Sequence, residues 1–105
     1  MPVQNYRQSF QEKEMDLKKR LCISEDLYAQ SIDDETVLLD MRSENYYGLD
    51  ATASRIWRLL SSGLCIHDAI NRLEELYDVE RSRLEADVSE FVEILIADGL
   101  AHYCG

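Results

Sequence analysis

Two short cysteine–histidine pairs are the residues of this sequence that come closest to a metal site. Cys65 and His67 are separated by one residue, and so are His102 and Cys104. Four such side chains suffice for tetrahedral zinc, which binds thiolate and imidazole ligands. Neither spacing is that of a zinc finger or ribbon, and the second pair lies near a chain terminus, where chains commonly fray. We therefore predict no metal site and no cofactor.

The sequence also lacks the motifs on which common enzyme mechanisms depend. It has no glycine-rich phosphate loop, no G-x-S-x-G turn and no H-E-x-x-H helix. His67 and His102 are its two histidines, and no serine has an evident base beside it. The carboxylates are spread over the predicted helix faces, which is their ordinary solvated arrangement. These observations predict a protein that is not an enzyme.

The charge balance restricts the partners and the location. The sequence has 21 Asp and Glu against 11 Lys and Arg, a formal net charge of −10. Nucleic acids and anionic membranes are bound mainly through Lys and Arg, so we expect neither as a partner. No apolar run reaches the roughly 20 residues that cross a bilayer, and no signal peptide is evident at the N-terminus. The predicted location is the cytoplasm, where we expect Cys22, Cys65 and Cys104 to be reduced.

Alternation of apolar residues predicts a small antiparallel sheet. Residues 1–20 are polar and predict a flexible or helical N-terminal arm, followed by one domain over residues 21–105. Strands are predicted over residues 27–32, 36–41 and 45–49. The second of them has the strongest pattern, with Val37, Leu39 and Met41 on one face.

Apolar residues at helical spacing predict three helices after the sheet, over residues 51–60, 67–77 and 81–98. Asp50 is placed to cap the first helix, and Gly63 and Gly99 follow the ends of the first and third. Three antiparallel strands followed by three helices predict an α+β domain that is winged helix-turn-helix-like.

The third predicted helix has more apolar surface than a single core contact requires. Its apolar side chains are Leu84, Val88, Phe91, Val92, Ile94, Leu95 and Ile96. At 100° per residue they cover an arc of roughly 200°. Either the helix is wedged between two other elements, or one flank is an exposed apolar groove. On this pattern alone the wedge is the commoner arrangement.

A winged-helix transcription regulator is one alternative, with the third helix as the reading helix. That helix carries five acidic residues, Glu85, Asp87, Glu90, Glu93 and Asp98, against Arg81 and Arg83 near its start. A reading helix needs basic or amide side chains and basic phosphate anchors, so these charges disfavour DNA binding. The remaining class is protein or peptide recognition, in which an extended peptide adds to a free sheet edge or the domain serves as another kind of adaptor.

The order and spacing of several motifs resemble those of the PqqD family. Residues 36–50, TVLLDMRSENYYGLD, resemble the family's V-L-L-D strand and its S-G-x-Y-Y-x-L-N motif. Residues 52–60, TASRIWRLL, resemble its T-A-x-x-I-W-x-L-L helix, and later matches extend the resemblance over about residues 25–101. Glu44 stands where the family has Gly, and Asp50-Ala51 where it has Asn-Pro.

The resemblance implies a RiPP recognition element, a domain that binds the leader of a ribosomally synthesised precursor peptide. In such a domain the leader adds as a strand beside the third strand and lies against the third helix. Carried onto this chain, the implied peptide-binding residues are Asn45, Tyr46, Tyr47, Gly48, Val88, Phe91, Val92 and Leu95. This implication favours the exposed groove over the wedge.

The resemblance also implies the partners. They are the precursor peptide and a processing enzyme such as a leader peptidase, a cyclase or a radical enzyme. A chain with no fused enzyme is similar to the stand-alone elements of lasso-peptide pathways, or to the protein of pyrroloquinoline quinone biosynthesis that gives the family its name, and we favour the lasso type. A homodimer is left open, because free sheet edges permit one.

Overall fold

The computed structural model describes residues 17–104. The elements in chain order are β1 (Arg20–Ile23), β2 (Leu27–Ile32), β3 (Glu35–Asp40), β4 (Asn45–Leu49), α1 (Ala51–Ser61), α2 (Ile66–Leu76), α3 (Arg81–Ala97) and β5 (Ala101–Cys104). The predicted α+β arrangement, a three-stranded antiparallel sheet followed by three helices, is confirmed. The predicted first, second and third strands are β2, β3 and β4. Residues 1–16 of the predicted arm lie outside the described residues, and the boundary between arm and domain stays a prediction.

The main sheet has the order β2-β3-β4, with both neighbouring pairs antiparallel. A two-residue turn, Asp33-Asp34, joins β2 to β3, and Asp33 adopts a φ of 57°, which Asp tolerates better than most residues. In the register, Leu38 of β3 lies between Ala29 of β2 and Tyr47 of β4. β3 is therefore the central strand.

Alternation along β3 separates a buried face from an exposed one. Thr36, Leu38 and Asp40 are buried against the helices. Val37 and Leu39 share the opposite face, as alternation predicted, and that apolar face turns away from the core. The polarity of the two faces is thus the reverse of the usual pattern, since two of the three buried residues are polar.

The core forms where α1 packs against β1, β3 and β4, α2 packs against α1 and α3, and α3 packs against β5. Its fully buried side chains include Leu38, Leu60, Ile66, Ile70, Leu73, Val88, Val92, Leu95 and Leu100. The predicted cap of α1 is confirmed, since the Asp50 carboxylate accepts a hydrogen bond from the Ala53 N–H at 2.9 Å. This cap fixes the start of α1 directly after the last residue of β4, so the first turn of the helix lies beside the end of the strand.

A second, two-stranded sheet pairs β1 with β5, which the sequence patterns did not predict. Its strands carry a disulfide between Cys22 and Cys104, whose Cα atoms are 5.6 Å apart. The expectation that both cysteines are thiols and that the C-terminal residues fray is therefore wrong for this structure. The reason is long-range pairing: the two cysteines are separated by 82 residues in sequence, so local spacing carries no sign of their contact.

The disulfide engages Cys104, one of the four residues that we considered as zinc ligands. Cys65 and His67 lie at the start of α2, whereas His102 and Cys104 lie on β5. Within residues 17–104, no three His, Cys, Asp or Glu side chains are grouped to hold a metal ion. Of the helices in that range, none combines the length and apolarity needed to span a bilayer.

Candidate peptide-binding site

β4 is an edge strand, bonded to β3 on one side. On its other side, the described part of the chain supplies no further strand. The two-residue turn makes Ile32 and Glu35 a hydrogen-bonded pair, and alternation then directs the N–H and C=O groups of Tyr46 and Gly48 to the free edge. Five residues of β4 span about 17 Å. This edge can accept an extended peptide as a fourth strand.

The side chains of β4 divide between the two faces of the sheet. Tyr46 lies opposite Leu39 on the outward face and is 75% exposed. Tyr47 lies opposite Leu38 on the inward face and packs against the core. Gly48 is exposed, and no atom lies within 4 Å of the position that a Cβ would occupy there. A peptide backbone therefore meets no side chain at Gly48.

Tyr47 also ties β4 to the end of α3. Burial raises the pKa of its phenol, and the charge of the neighbouring Asp98 carboxylate raises it further. Asp98 is the residue that follows α3. The contact therefore sets the separation between the strand and the helix at one end of the surface that they share.

The turn between β3 and β4 is held by the buried Asp40 carboxylate. Ser43 Oγ donates to it at 2.8 Å and the Arg42 N–H donates at 3.1 Å. These bonds, the one from Ser43 above all, lower the pKa of Asp40, and the Arg42 guanidinium contributes to the same effect. Glu44 adopts a φ of 64° in this turn. A depression of about 430 Å³ lies here, bordered by the turn, both tyrosines and Asp98.

Arg42 links this turn to the chain after α3. Its Nη2 donates to the carbonyl oxygen of Gly99 at 2.9 Å. Gly99 has a φ of 76°, and an added Cβ would stand 3.3 Å from the same Nη2 atom. Glycine is therefore favoured at this position, because the φ is positive and an added Cβ would crowd the Arg42 side chain. Arg42 and Tyr47 together hold the β3–β4 hairpin to the end of α3.

A second depression, of about 260 Å³, lies between the start of α1 and α3. Its apolar lining includes Ala53, Ile56, Phe91 and Ile94. Phe91 is half-buried, and Ile94 is 49% exposed. Its acidic border consists of Asp50, Asp87 and Glu90. The surface is suited to apolar side chains with neutral or basic neighbours.

The structure places three of the four α3 residues implied by the resemblance in the core. Val88, Val92 and Leu95 are fully buried in the core, so they are not available to a peptide on the surface. Phe91 is at the surface, beside Ile94, which we had placed on a flank of the helix but not among the binding residues. α3 packs against both α2 and β5. Most of the apolar arc of α3 is therefore wedged between other elements, as the first alternative predicted. The exposed apolar groove is confined to one flank of the helix.

Asp98 and Arg42 are further residues of this region that the sequence did not indicate. Both act through contacts between residues more than fifty positions apart along the chain. Arg42 contacts Gly99, and Asp98 contacts Tyr47. The excess apolar width of α3 signalled Ile94 as a candidate. No local signal distinguished its flank from the buried one.

Residues 35–101 match the protein-family profile described as Coenzyme PQQ synthesis protein D (PqqD). The chain belongs to the PqqD family. Two solved structures resemble this PqqD-family chain: TbiB1 in complex with the TbiA(beta) leader peptide, and a lasso peptide synthetase B1 complexed with the leader peptide. Matches to proteins of curated function are absent.

The likeness to both solved structures extends over most of each chain. TbiB1 is 36% identical, with a TM-score of 0.73, over 76% of this chain and 93% of TbiB1. The lasso peptide synthetase B1 is 31% identical, with a TM-score of 0.72, over 79% of this chain and 98% of the other. The resemblance read from the motifs of β3, β4 and α1 is thereby confirmed.

Proposed function

We propose that this PqqD-family chain binds the leader segment of a ribosomally synthesised precursor peptide and presents it to a processing enzyme, without catalysing a reaction itself. One observation carries the proposal: the chain has a free strand edge beside an apolar groove, in a fold shared with two leader-peptide complexes at 36% and 31% identity. The lasso peptide synthetase B1 among them favours a lasso-type pathway.

In the proposed complex, the leader adds as a strand to β4 and directs alternate side chains towards α3. Backbone bonds to the edge supply affinity, and Phe91 and Ile94 supply apolar contacts. The residues that we assign to the site are Asn45, Tyr46, Tyr47, Gly48, Phe91 and Ile94. Each strand hydrogen bond contributes about 0.5–1.5 kcal/mol, and ordering the peptide opposes binding by about 1–2 kcal/mol per residue. Buried apolar anchors, at about 1.5–3 kcal/mol each, must supply the surplus, and we expect a dissociation constant of about 10⁻⁶ to 10⁻⁹ M.

DNA binding is disfavoured by the surface of α3. Asp87, Glu90 and Glu93 are exposed on the helix that would have to enter the groove. Arg81 is engaged with Glu85 at 3.1 Å and with Glu74 at 3.2 Å, so its charge is already compensated. The acidic helix would repel phosphates rather than bind them.

We place this function in the cytoplasm, because precursor peptides are made there by ribosomes. In that compartment the Cys22–Cys104 disulfide would be exposed to reduction. A homodimer through β4 would occupy the edge that the leader needs, so we expect the leader-bound chain to be a monomer.

The test is fluorescence anisotropy with a labelled leader peptide, taken from the short open reading frame nearest the gene. We expect saturable binding in the micromolar range or tighter, and no binding of the core peptide alone. Duplex DNA serves as the second negative ligand. Equal affinity for leader and core, or binding of DNA but not of leader, would contradict the proposal.

A further inference from the structure

The sheet has a second apolar surface, on the side turned away from the helices. We call it the outer sheet face and define it by Tyr28, Ile32, Val37, Leu39 and Tyr46. Tyr28, Leu39 and Tyr46 lie side by side across the three strands. Tyr28 is 63% exposed and Ile32 is 56% exposed. A depression of about 480 Å³ on this face is lined by Tyr28, Gln30, Val37, Leu39 and Tyr46, so the face has a concavity that a partner can fill.

The outer sheet face is bordered by negative charge. Residues 24–50 contain eight acidic residues and one basic residue, a difference of −7. Six of the acidic side chains lie exposed in the turns and at the strand starts around the face: Glu25, Asp26, Asp33, Asp34, Glu35 and Glu44. The basic residue, Arg42, is engaged with the Gly99 carbonyl and lies 3.7 Å from Asp26. The border therefore presents uncompensated acid.

An apolar centre with aromatic residues and a charged border is the usual composition of a protein–protein interface. A second copy of this chain would bring the same acidic border against its own, which like-charge repulsion opposes. A partner with an apolar patch bordered by Lys and Arg meets both features at once.

We propose that the outer sheet face docks the processing enzyme that acts on the bound precursor, through an apolar patch of that enzyme bordered by Lys and Arg. The proposal rests on the proposed function. It has a geometric reason, because a leader strand added at β4 would present every second side chain on this same face, next to Tyr46. The enzyme would then contact the carrier and the leader as one continuous surface.

The test uses the full chain and the purified processing enzyme encoded beside its gene, with affinity measured by calorimetry in the absence and presence of leader. The variants are Tyr28→Ala and Ile32→Ala, both on β2, the strand farthest from the β4 edge. The matched control is Leu76→Ala on α2, which removes a side chain of similar exposure, 53%, outside the face. We expect each β2 variant to weaken enzyme binding at least about tenfold. Leu76→Ala should leave that affinity unchanged, and added salt should weaken it in the unaltered chain.

Leader affinity and oligomeric state are measured on the same proteins. The proposal is overturned if the unaltered chain does not bind the enzyme, or if both β2 variants bind it as well as the unaltered chain. Loss of leader binding in folded Tyr28→Ala would show that the leader itself covers the face. A dimer that the β2 variants dissociate would assign the face to a second copy. Absence of leader binding with enzyme docking intact would contradict the proposed function alone.

Discussion

At the scale of single residues, Phe91 and Ile94 decide whether the groove beside α3 takes part in binding. Both side chains are accessible, in contrast to Val88, Val92 and Leu95 on the buried side of the same helix. Ile94→Ala is the sharper variant, because Ile94 is half exposed and its truncation leaves no large cavity.

We expect Ile94→Ala to weaken leader binding about five- to tenfold, since part of an apolar contact worth about 1.5–3 kcal/mol is lost. Phe91→Ala should weaken it more. Anisotropy titration measures both, with circular dichroism to check that the Phe91 variant is folded. Leu76→Ala, on α2, is the control. Unchanged affinity in folded variants of both residues would exclude this groove from the site.

Asp40 predicts a pH dependence of stability. Its hydrogen bonds lower its pKa from 3.8, so the folded state favours the carboxylate more than the unfolded chain does. The contribution is therefore present above the unfolded pKa and is lost as the pH falls through the lower, folded value. We expect Asp40→Asn to be less stable than the unaltered chain near neutral pH, with the difference shrinking in acid.

Urea denaturation at a series of pH values tests this expectation. Asp34→Asn is the matched control, because Asp34 lies in an exposed turn and makes none of the bonds of Asp40. A stability difference for Asp40→Asn that is the same at acid and neutral pH would contradict the assigned role of the carboxylate.

At the scale of elements, β4 must offer its backbone if the leader adds as a strand. Tyr46→Pro removes the N–H that faces the free edge while leaving the opposite bonds of β4 to β3 in place. We expect this variant to lose leader affinity more than Tyr46→Ala, which keeps the N–H and removes the ring. The same anisotropy assay distinguishes them, with circular dichroism as the folding check. A folded proline variant that binds as well as the alanine variant would rule out strand addition at Tyr46.

Elements with strong local patterns were predicted well. The alternation of β3, the Asp50 cap of α1 and the apolar periodicity of the helices place each element within a few residues of its observed bounds. β1 and β5 were missed because each is four residues long and has no alternation of its own. Strands this short are stabilised by the partner that they meet, and the partner lies at the other end of the chain.

At the scale of the whole molecule, the disulfide joins the two ends of the described domain. Closing a loop of 82 residues removes conformational entropy from the unfolded chain and stabilises the fold by about 4.5 kcal/mol in the chain-entropy account. We expect reduction, or Cys22→Ser, to lower the free energy of unfolding by up to that amount.

Urea denaturation with and without reductant measures the effect. Cys65→Ser is the control, because Cys65 is free and its substitution leaves the disulfide in place. If reduction leaves the stability unchanged, the two cysteines are not paired in the protein as prepared. If reduction also leaves leader binding unchanged, the disulfide and the binding site are independent.

The sequence by itself determined the fold class and the family. These depend on periodicity, caps and motif spacing, which are properties of neighbours along the chain. Only the tertiary structure decided that Tyr47 packs inward while Tyr46 faces out, that Val88, Val92 and Leu95 are core, and that Cys22 meets Cys104. The physical reason is that a helix or strand pattern defines which residues share a face, whereas burial of that face depends on the element packed against it.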